Sequence, residues 1–268
     1  MLGALIGDCT GSYYEDQYLG DNDLRNKPKY KDVQIMKGNI TDDSILTIAI
    51  ADALLQCHNN YDNLEQIAAT SLKKYARLYP YAGYGGLFRQ WVATDSTKGY
   101  NSFGNGAAMR ISSVAYFAST LEQCKELCYK VTNITHNHKE ALKGAECVAC
   151  CIWLLLHKHS KQEVLDYVSN NYYNLNLDYD KLVKNYHFDV SCQGTVNVAL
   201  YIFSISNSFE DTIRKSITIL GDADTLTCIV GSIAEACYDI PSKWKKDIIN
   251  KLSPDLVRVV ERIESMAR

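Results

Sequence analysis

The sequence predicts one compact all-α domain, and three observations carry that prediction. Apolar residues recur at helical spacing along most of the chain, strand-like alternation is scarce, and no Pro/Gly/Ser-rich linker separates two halves. The length of 268 residues suits either one large domain or two small ones at roughly 150 residues each, so the missing linker decides for one. A domain of this size buries about 75% of its chain surface. With 47% hydrophobic and 22% charged residues, the composition excludes disorder, collagen and low-complexity arrays.

Taken in order, the chain opens on a short apolar run, Met1 to Asp8, without a cationic leader. This predicts a reducing, cytoplasmic location despite ten cysteines. Asp16 to Gly38 is polar, carries Asn22, Asn26 and Pro28, and resists a helical reading. Structureless loops longer than about 12–15 residues are usually lids, binding loops or disordered, so residues 16–38 are expected to form a flap. Helices follow at Asp42 to Cys57, where Ile45 to Leu55 is almost continuously apolar, and at Leu64 to Tyr79. Gly83 to Arg110 again resists. It holds Tyr84-Gly85-Gly86 and the run from Asn101 to Arg110, whose glycines permit close backbone approach to a ligand. That run opens into an expected helix, Ala108 to Ser119, whose N-terminus would favour a phosphate. It is not a dinucleotide fingerprint, because Met109 takes the third glycine position, nor a P-loop, because no Gly-Lys-Ser/Thr occurs.

Further helices are expected at Leu121 to Asn133, Lys139 to His157, Lys161 to Asn170, Thr195 to Ile205, Phe209 to Ile219, Asp224 to Tyr238 and Pro254 to Met266. Pro241 and Pro254 stand where helix starts belong. Cys147, Cys150 and Cys151 lie in the apolar run Ala145 to Leu156 with no second ligand pair, and read as small core residues rather than zinc ligands. The longest apolar stretches fall short of the ~20 residues of a membrane span. The 28 basic and 31 acidic residues give a net charge of −3 with no long run of either sign. This counts against nucleic-acid and membrane-surface partners, and a monomer with a small or proteinaceous partner is expected.

Two segments share a design. Thr41-Asp42-Asp43-Ser44 precedes one nearly continuous apolar run, and Asp222-Ala223-Asp224-Thr225 precedes another, Leu226 to Ala234. Each alone is explained by helix N-capping, which favours Thr and Asp. Together they suggest more. If both helices enter one core, four carboxylates converge with no Lys or Arg in either motif, which costs several kcal/mol per ion unless cations compensate. An all-oxygen set suits Mg²⁺ or Mn²⁺ and disfavours zinc. Two ions about 3.5–4 Å apart would share it.

These segments, with Gly7 to Glu15, Ser102 to Arg110, Thr135-His136 and Gly221-Asp222, occur in an order that resembles the ADP-ribosylglycohydrolase family along most of the chain. The resemblance implies an orthogonal all-α fold and a binuclear Mg²⁺ centre in a cleft. It implies metal ligands at Thr41, Asp42 and Asp43 on one side and at Asp222, Asp224 and Thr225 on the other. Gly104, Asn105, Gly106, Ala107 and Met109 would cradle the ADP-ribose diphosphate, with Tyr84, Ser102 and His136 as neighbours, although His136 is equally readable as a surface histidine. Gly11-Ser12-Tyr13-Tyr14-Glu15 is similar to the branch that cleaves serine-linked or polymeric ADP-ribose. Glu15 is then the expected acid/base, with Asp43 or Asp42 in reserve. The implied substrate is an ADP-ribosylated protein or polymer. The alternatives are a silent ADP-ribose binder and a hydrolase of free or nucleic-acid-linked ADP-ribose derivatives. Two departures stand out: Leu220 replaces the first of two glycines usual before the second aspartate motif, and Ala223 replaces a Ser or Thr.

Overall fold

Gly3, Gly7 and Gly11 fall at intervals of four and so share one face of a helix. That helix, α1, runs from Leu2 to Asp21 and lays its glycine face against α13, Ala223–Cys237. A Cβ on Gly3 would lie 2.3 Å from the carbonyl oxygen of Gly231, one on Gly7 2.1 Å from that of Thr227, and one on Gly11 2.2 Å from that of Ala223. One partner number rises by four as the other falls by four, so the two helices run antiparallel with backbones in direct contact. The computed structural model describes residues 1–21 and 27–266, without the side chains of 17–21.

Around this pair stand α2 (Asp42–Gln56), α3 (Leu64–Leu78), α4 (Gly86–Val92), α5 (Gly106–Met109), α6 (Val114–Phe117), α7 (Leu121–Asn133), α8 (Lys139–Leu156), α9 (Lys161–Asn171), α10 (Tyr179–Asn185), α11 (Cys192–Ile205), α12 (Phe209–Ile219), α14 (Ser242–Ile249) and α15 (Pro254–Met266). No strand occurs among the described residues, and the single antiparallel bridge joins Gly104 to Ser191. The fold is all-α, as expected. None of the helices is long and apolar enough to cross a membrane.

Burial explains which helices carry a stripe. α15 buries Leu256, Val259, Val260 and Ile263, one face at helical spacing. α2 buries every residue from Asp43 to Ala51 and has no polar face. The cysteines of α8 are free and buried within the core. Its flank includes α7, whose N-terminus Thr120 caps by accepting from the Gln123 amide.

Four expectations need correction. Leu2–Asp21 are helical, where no helix was expected, although glycine disfavours helix by roughly 0.5–1 kcal/mol relative to alanine; close packing on α13 outweighs that propensity. The non-helical stretch expected at 16–38 is shorter. Asp16–Asp21 continue α1, and residues 22–26 lie outside the described residues. Residues 34–39 bond back along α1: the Gln34 amide donates to Tyr14 Oη (2.6 Å), that of Met36 to Thr10 Oγ1 (3.0 Å) and that of Gly38 to the Cys9 carbonyl (3.0 Å). The expected helix 108–119 is two single turns, α5 and α6, broken where Arg110 turns its side chain inward. Finally, α4 and α10 were not expected; they have seven residues each, too short for a periodicity to emerge, whereas α14 starts directly after Pro241, where a helix start was expected.

The α1–α13 contact predicts a sharp contrast between glycines. Gly7→Ala should destabilise the protein by more than about 3 kcal/mol, because backbone must shift, which lowers the melting temperature by roughly 6–12 °C. Gly85→Ala, which meets nothing within 4 Å, should change it by less than about 2 °C. Thermal unfolding of both variants checks this, and equal melting temperatures would contradict the contact.

Candidate active site at the α1–α13 contact

Asp8 and Glu15 are seven residues apart on α1, two turns, and so project from one side of it. The glycine contact sets that side beside the N-terminus of α13, where Asp222 and Asp224 stand. α2 begins at the same place and brings Asp42 and Asp43. Two carboxylate triads result, Asp8 with Asp43 and Asp224, and Glu15 with Asp222 and Asp224; within each, one oxygen per residue lies within 4.8 Å of the others. Thr225 Oγ1 donates to Asp43 Oδ2 at 3.2 Å, joining the α13 and α2 motifs directly.

Hydrogen bonding is uneven across this cluster. Asp8, fully buried, accepts from the Thr41 amide (2.9 Å), Thr41 Oγ1 (2.7 Å), the Ser44 amide (3.0 Å) and Ser44 Oγ. Thr41 caps α2 by accepting from the Asp43 amide at 3.3 Å. Capping therefore does account for part of the first motif. It does not account for the second, since Asp222 makes no side-chain cap and instead accepts from Asn105 Nδ2 at 2.6 Å. Asp43 Oδ1 and Glu15 Oε2 are buried without any hydrogen-bond partner. A buried carboxylate oxygen in that condition pays its full desolvation cost.

The carboxyls respond by holding protons. Burial, then the Asp224 charge, pushes Asp8 up to about 7. Burial, then Asp224 and Asp8, pushes Asp42 up to about 8, with Arg110 pulling the other way. Asp43 and Asp222 rise well above the carboxylate range, chiefly through burial. Glu15 rises to about 11, through burial and then through its hydrogen bond to Asp224 and the charges of Asp224 and Asp222.

A cleft of about 350 Å³ opens onto the cluster. Glu15, Asp42, Asp43, Asp222, Asp224 and Thr225 line it, together with Ser102, Gly104, Asn105, Gly106, Met109 and His136. His136 is 6% exposed, so it is no surface residue. Thr41, Tyr84 and Ala107 do not line the cleft. Ala107 is fully buried, and the Tyr84 ring packs 5.5 Å from that of Phe88 with its hydroxyl unpartnered. The glycine segment is fastened from behind: the Asn105 amide donates to the Val190 carbonyl and the Cys192 amide to that of Phe103, both at 2.8 Å. Its helix, α5, is one turn long, so a helix dipole contributes little there and the expected phosphate preference of that N-terminus loses its basis.

Two residues escaped the sequence reading. Asp8 had a signal, a lone carboxylate in an apolar run that had to be buried. Arg110, 1% exposed, had none, because its partners lie on the segment after α7. The usual glycine before the second motif is Leu220 here, held at φ 60° and buried against Tyr14, Val33, Ile217 and Ala223. The turn survives the replacement, with the strain of a positive φ set against side-chain burial. Ala223 sits where its carbonyl meets Gly11.

An all-helical frame thus holds a cleft floored by buried carboxylates and rimmed by glycines. The chain belongs to the ADP-ribosylglycohydrolase family, whose model matches residues 1–268. It is 23% identical over 316 aligned positions to the ADP-ribosylhydrolase ARH3 of Homo sapiens, across 92% of this chain and 87% of that protein. It is 20% identical to the ADP-ribosylarginine hydrolase Tri1 of Pseudomonas putida (strain GB-1), across 99% of this chain and 79% of that protein. Among solved structures it shares its fold with an ADP-ribosylglycohydrolase-related protein complex. The TM-score is 0.68 at 21% identity, over 100% of this chain and 97% of that one.

Raised carboxyl pKa values fix the sign of a pH effect. Groups that bind protons more tightly when folded contribute stability fully present below their unfolded value, 3.8 for Asp, and lost as pH rises through the folded values of about 7 for Asp8 and 8 for Asp42. Asp211 shifts downward instead, so its contribution changes only at more acid pH. In EDTA, the melting temperature should fall by several degrees between pH 5 and pH 8.5. A constant or rising value would contradict this site.

Proposed function

We propose that this chain is a divalent-cation-dependent ADP-ribosyl hydrolase, cleaving the bond between the anomeric carbon of the distal ribose and its acceptor. The observation that carries the reading is the uncompensated carboxylate floor of the cleft, with Asp43 Oδ1 and Glu15 Oε2 buried and unpartnered, in a chain of this family. Those orphaned oxygens and the all-oxygen donor set fit Mg²⁺, or Mn²⁺ in its place. Asp42 and Asp43 from α2 and Asp222, Asp224 and Thr225 from α13 would hold two such ions, while Thr41 turns its hydroxyl to Asp8 instead. When bound, they supply positive charge that neutralises the carboxylates and orients the two cis hydroxyls of the ribose.

The chain's own groups do the rest. Fixing the sugar against the floor removes the positional entropy of the reaction in advance. Glycoside cleavage passes through an oxocarbenium-like state and needs a proton for the leaving group and a base for water. Glu15 faces the cleft from α1, so it is the residue placed to deliver a proton to the departing oxygen and to take one from water afterwards. Asp43 is the carboxylate in reserve. Gly104, Asn105, Gly106 and Met109, with Ser102 and His136, would form the nucleotide half of the cleft. Asn105 contributes indirectly, since its amide is committed to Asp222. The Gly11 to Glu15 motif, with its resemblance to the serine and polymer branch, favours a serine-linked or polymeric acceptor over arginine.

Three measurements test the reading. Glu15→Ala should lower turnover by about 100- to 10,000-fold while leaving ADP-ribose affinity within about threefold, and wild-type turnover in that variant would remove Glu15 from the mechanism. Mg²⁺ should raise the pH 8.5 melting temperature of the wild type and leave that of Asp222→Ala unchanged, read by thermal unfolding and titration calorimetry. Release of ADP-ribose should be measured with serine-linked, arginine-linked, polymeric and acylated substrates. Binding without release from any of them would make the chain a reader of ADP-ribose instead.

A further inference from the structure

Arg110 directs its guanidinium at the residues behind the cleft. Nη2 donates to Thr135 Oγ1 and lies 3.5 Å from His136 Nδ1, while Nη1 is buried with no hydrogen-bond partner. Thr135 Oγ1 stands 3.0 Å from His136 Nδ1 and 3.3 Å from the Thr132 carbonyl. A guanidinium carries only donors. A hydrogen on His136 Nδ1 would therefore face Arg110 donor to donor in a fully buried place. A bare Nδ1 lone pair faces the cation favourably and accepts the Thr135 hydroxyl hydrogen at the shorter of its two distances. The ring's hydrogen then belongs on Nε2. Protonating both nitrogens would set a second cation beside the first, and unit charges about 4 Å apart repel by roughly 4 kcal/mol at an effective dielectric of 20. Burial and then Arg110 accordingly hold the His136 pKa well below its usual value.

Nε2 points at the glycine segment. A Cβ on Gly106 would lie 3.1 Å from it and one on Gly104 3.6 Å, and both glycines and the imidazole line the cleft. Among the described residues Nε2 makes no hydrogen bond. We propose that Arg110 is a positioning residue: through Thr135 it holds His136 as the neutral Nε2–H tautomer, and the cleft thereby presents a fixed donor beside Gly104 and Gly106. That donor selects a ligand with a lone pair at that place. Only the ligand's identity rests on the proposed function; for ADP-ribose the acceptor is a diphosphate oxygen or a purine ring nitrogen.

Long-range ¹H–¹⁵N correlation spectra of the ligand-free protein test the tautomer without any assay of activity, with the His136 signals assigned by their loss in His136→Gln. Between pH 5.5 and 8.5, Nδ1 should stay unprotonated and Nε2 protonated. An Nδ1–H ring, or one titrating near 6.5, overturns the proposal whether or not the protein hydrolyses anything. Arg110→Gln and Thr135→Val should each release the ring into mixed tautomers and raise its pKa toward about 6.5; unchanged spectra in both would overturn it. Should Arg110→Gln fail to fold, Thr135→Val and the wild-type spectrum decide. Thr135→Val should also weaken ADP-ribose binding about tenfold. Pyrophosphate and adenosine, added separately, should differ in which one shifts the Nε2–H resonance, naming the acceptor. No response to either, nor to ADP-ribose, refutes a ligand-facing donor.

Discussion

Everything in the cleft depends on two helix backbones touching. With any side chain at Gly3, Gly7 or Gly11, α1 would stand off from α13 by the width of that side chain, and Asp8 and Glu15 would withdraw from Asp222 and Asp224 by the same amount. Three glycines in one helix are costly locally, at roughly 0.5–1 kcal/mol each. Their four-residue spacing makes sense only as an approach surface, because it places all three on the line where α13 runs past. The helix crossing is thus specified by what is missing from α1, and the acidic floor by what the crossing brings together.

That floor is held by partial compensation. α2 and α13 both begin there, so two helix N-termini direct their positive ends at the carboxylates. Asp8 takes four hydrogen bonds from Thr41 and Ser44, and Asp222 takes one from Asn105. Asp43 Oδ1 and Glu15 Oε2, by contrast, remain without partners. A folding core would not retain those two oxygens for stability, since apolar groups of similar volume would cost less. Their retention is intelligible if something positively charged completes the set.

The parts of this arrangement that were legible in the sequence share a property, and so do those that were not. α7, α12 and α15 are amphipathic at the surface, so apolar spacing gives their limits to within a residue. The motifs at 41–44 and 222–225 were legible because each sets acids against an apolar run, a contrast visible in one dimension. α1 was not, for it is buried on every side from Leu2 to Ser12, so Leu2, Ala4, Leu5, Ile6 and Cys9 trace no stripe at helical spacing, and its contact with α13 is made by glycine. Residues 16–21 looked like loop because polarity was the only cue available. Arg110 was illegible for another reason: its partners, Thr135 and His136, lie 25 and 26 residues away, and no local pattern encodes a contact between the break after α5 and the end of α7. Leu220 was visible as a departure, but its consequence was not, because the burial that offsets its positive φ comes from Tyr14 and Val33 far up the chain.

Residues lining the cleft fall into two chemical groups, and the difference bears on how a ligand enters. Glu15, Asp42, Asp43, Asp222 and Asp224 are acceptors when ionised; the Gly106 amide and His136 Nε2–H are donors, with the Arg110 cation behind them. A ligand with a neutral diol at one end and a diphosphate in its middle suits one orientation only. Reversed, the diphosphate would lose the Gly106 and His136 donors, and the diol would lose the oxygen set and the cations it would hold, so orientation is selected by what each end of the cleft offers. The acceptor beyond the ribose lies outside both groups, so the preference for a serine-linked or polymeric acceptor rests on the Gly11 to Glu15 motif alone, in a chain that also matches an ADP-ribosylarginine hydrolase along 99% of its length.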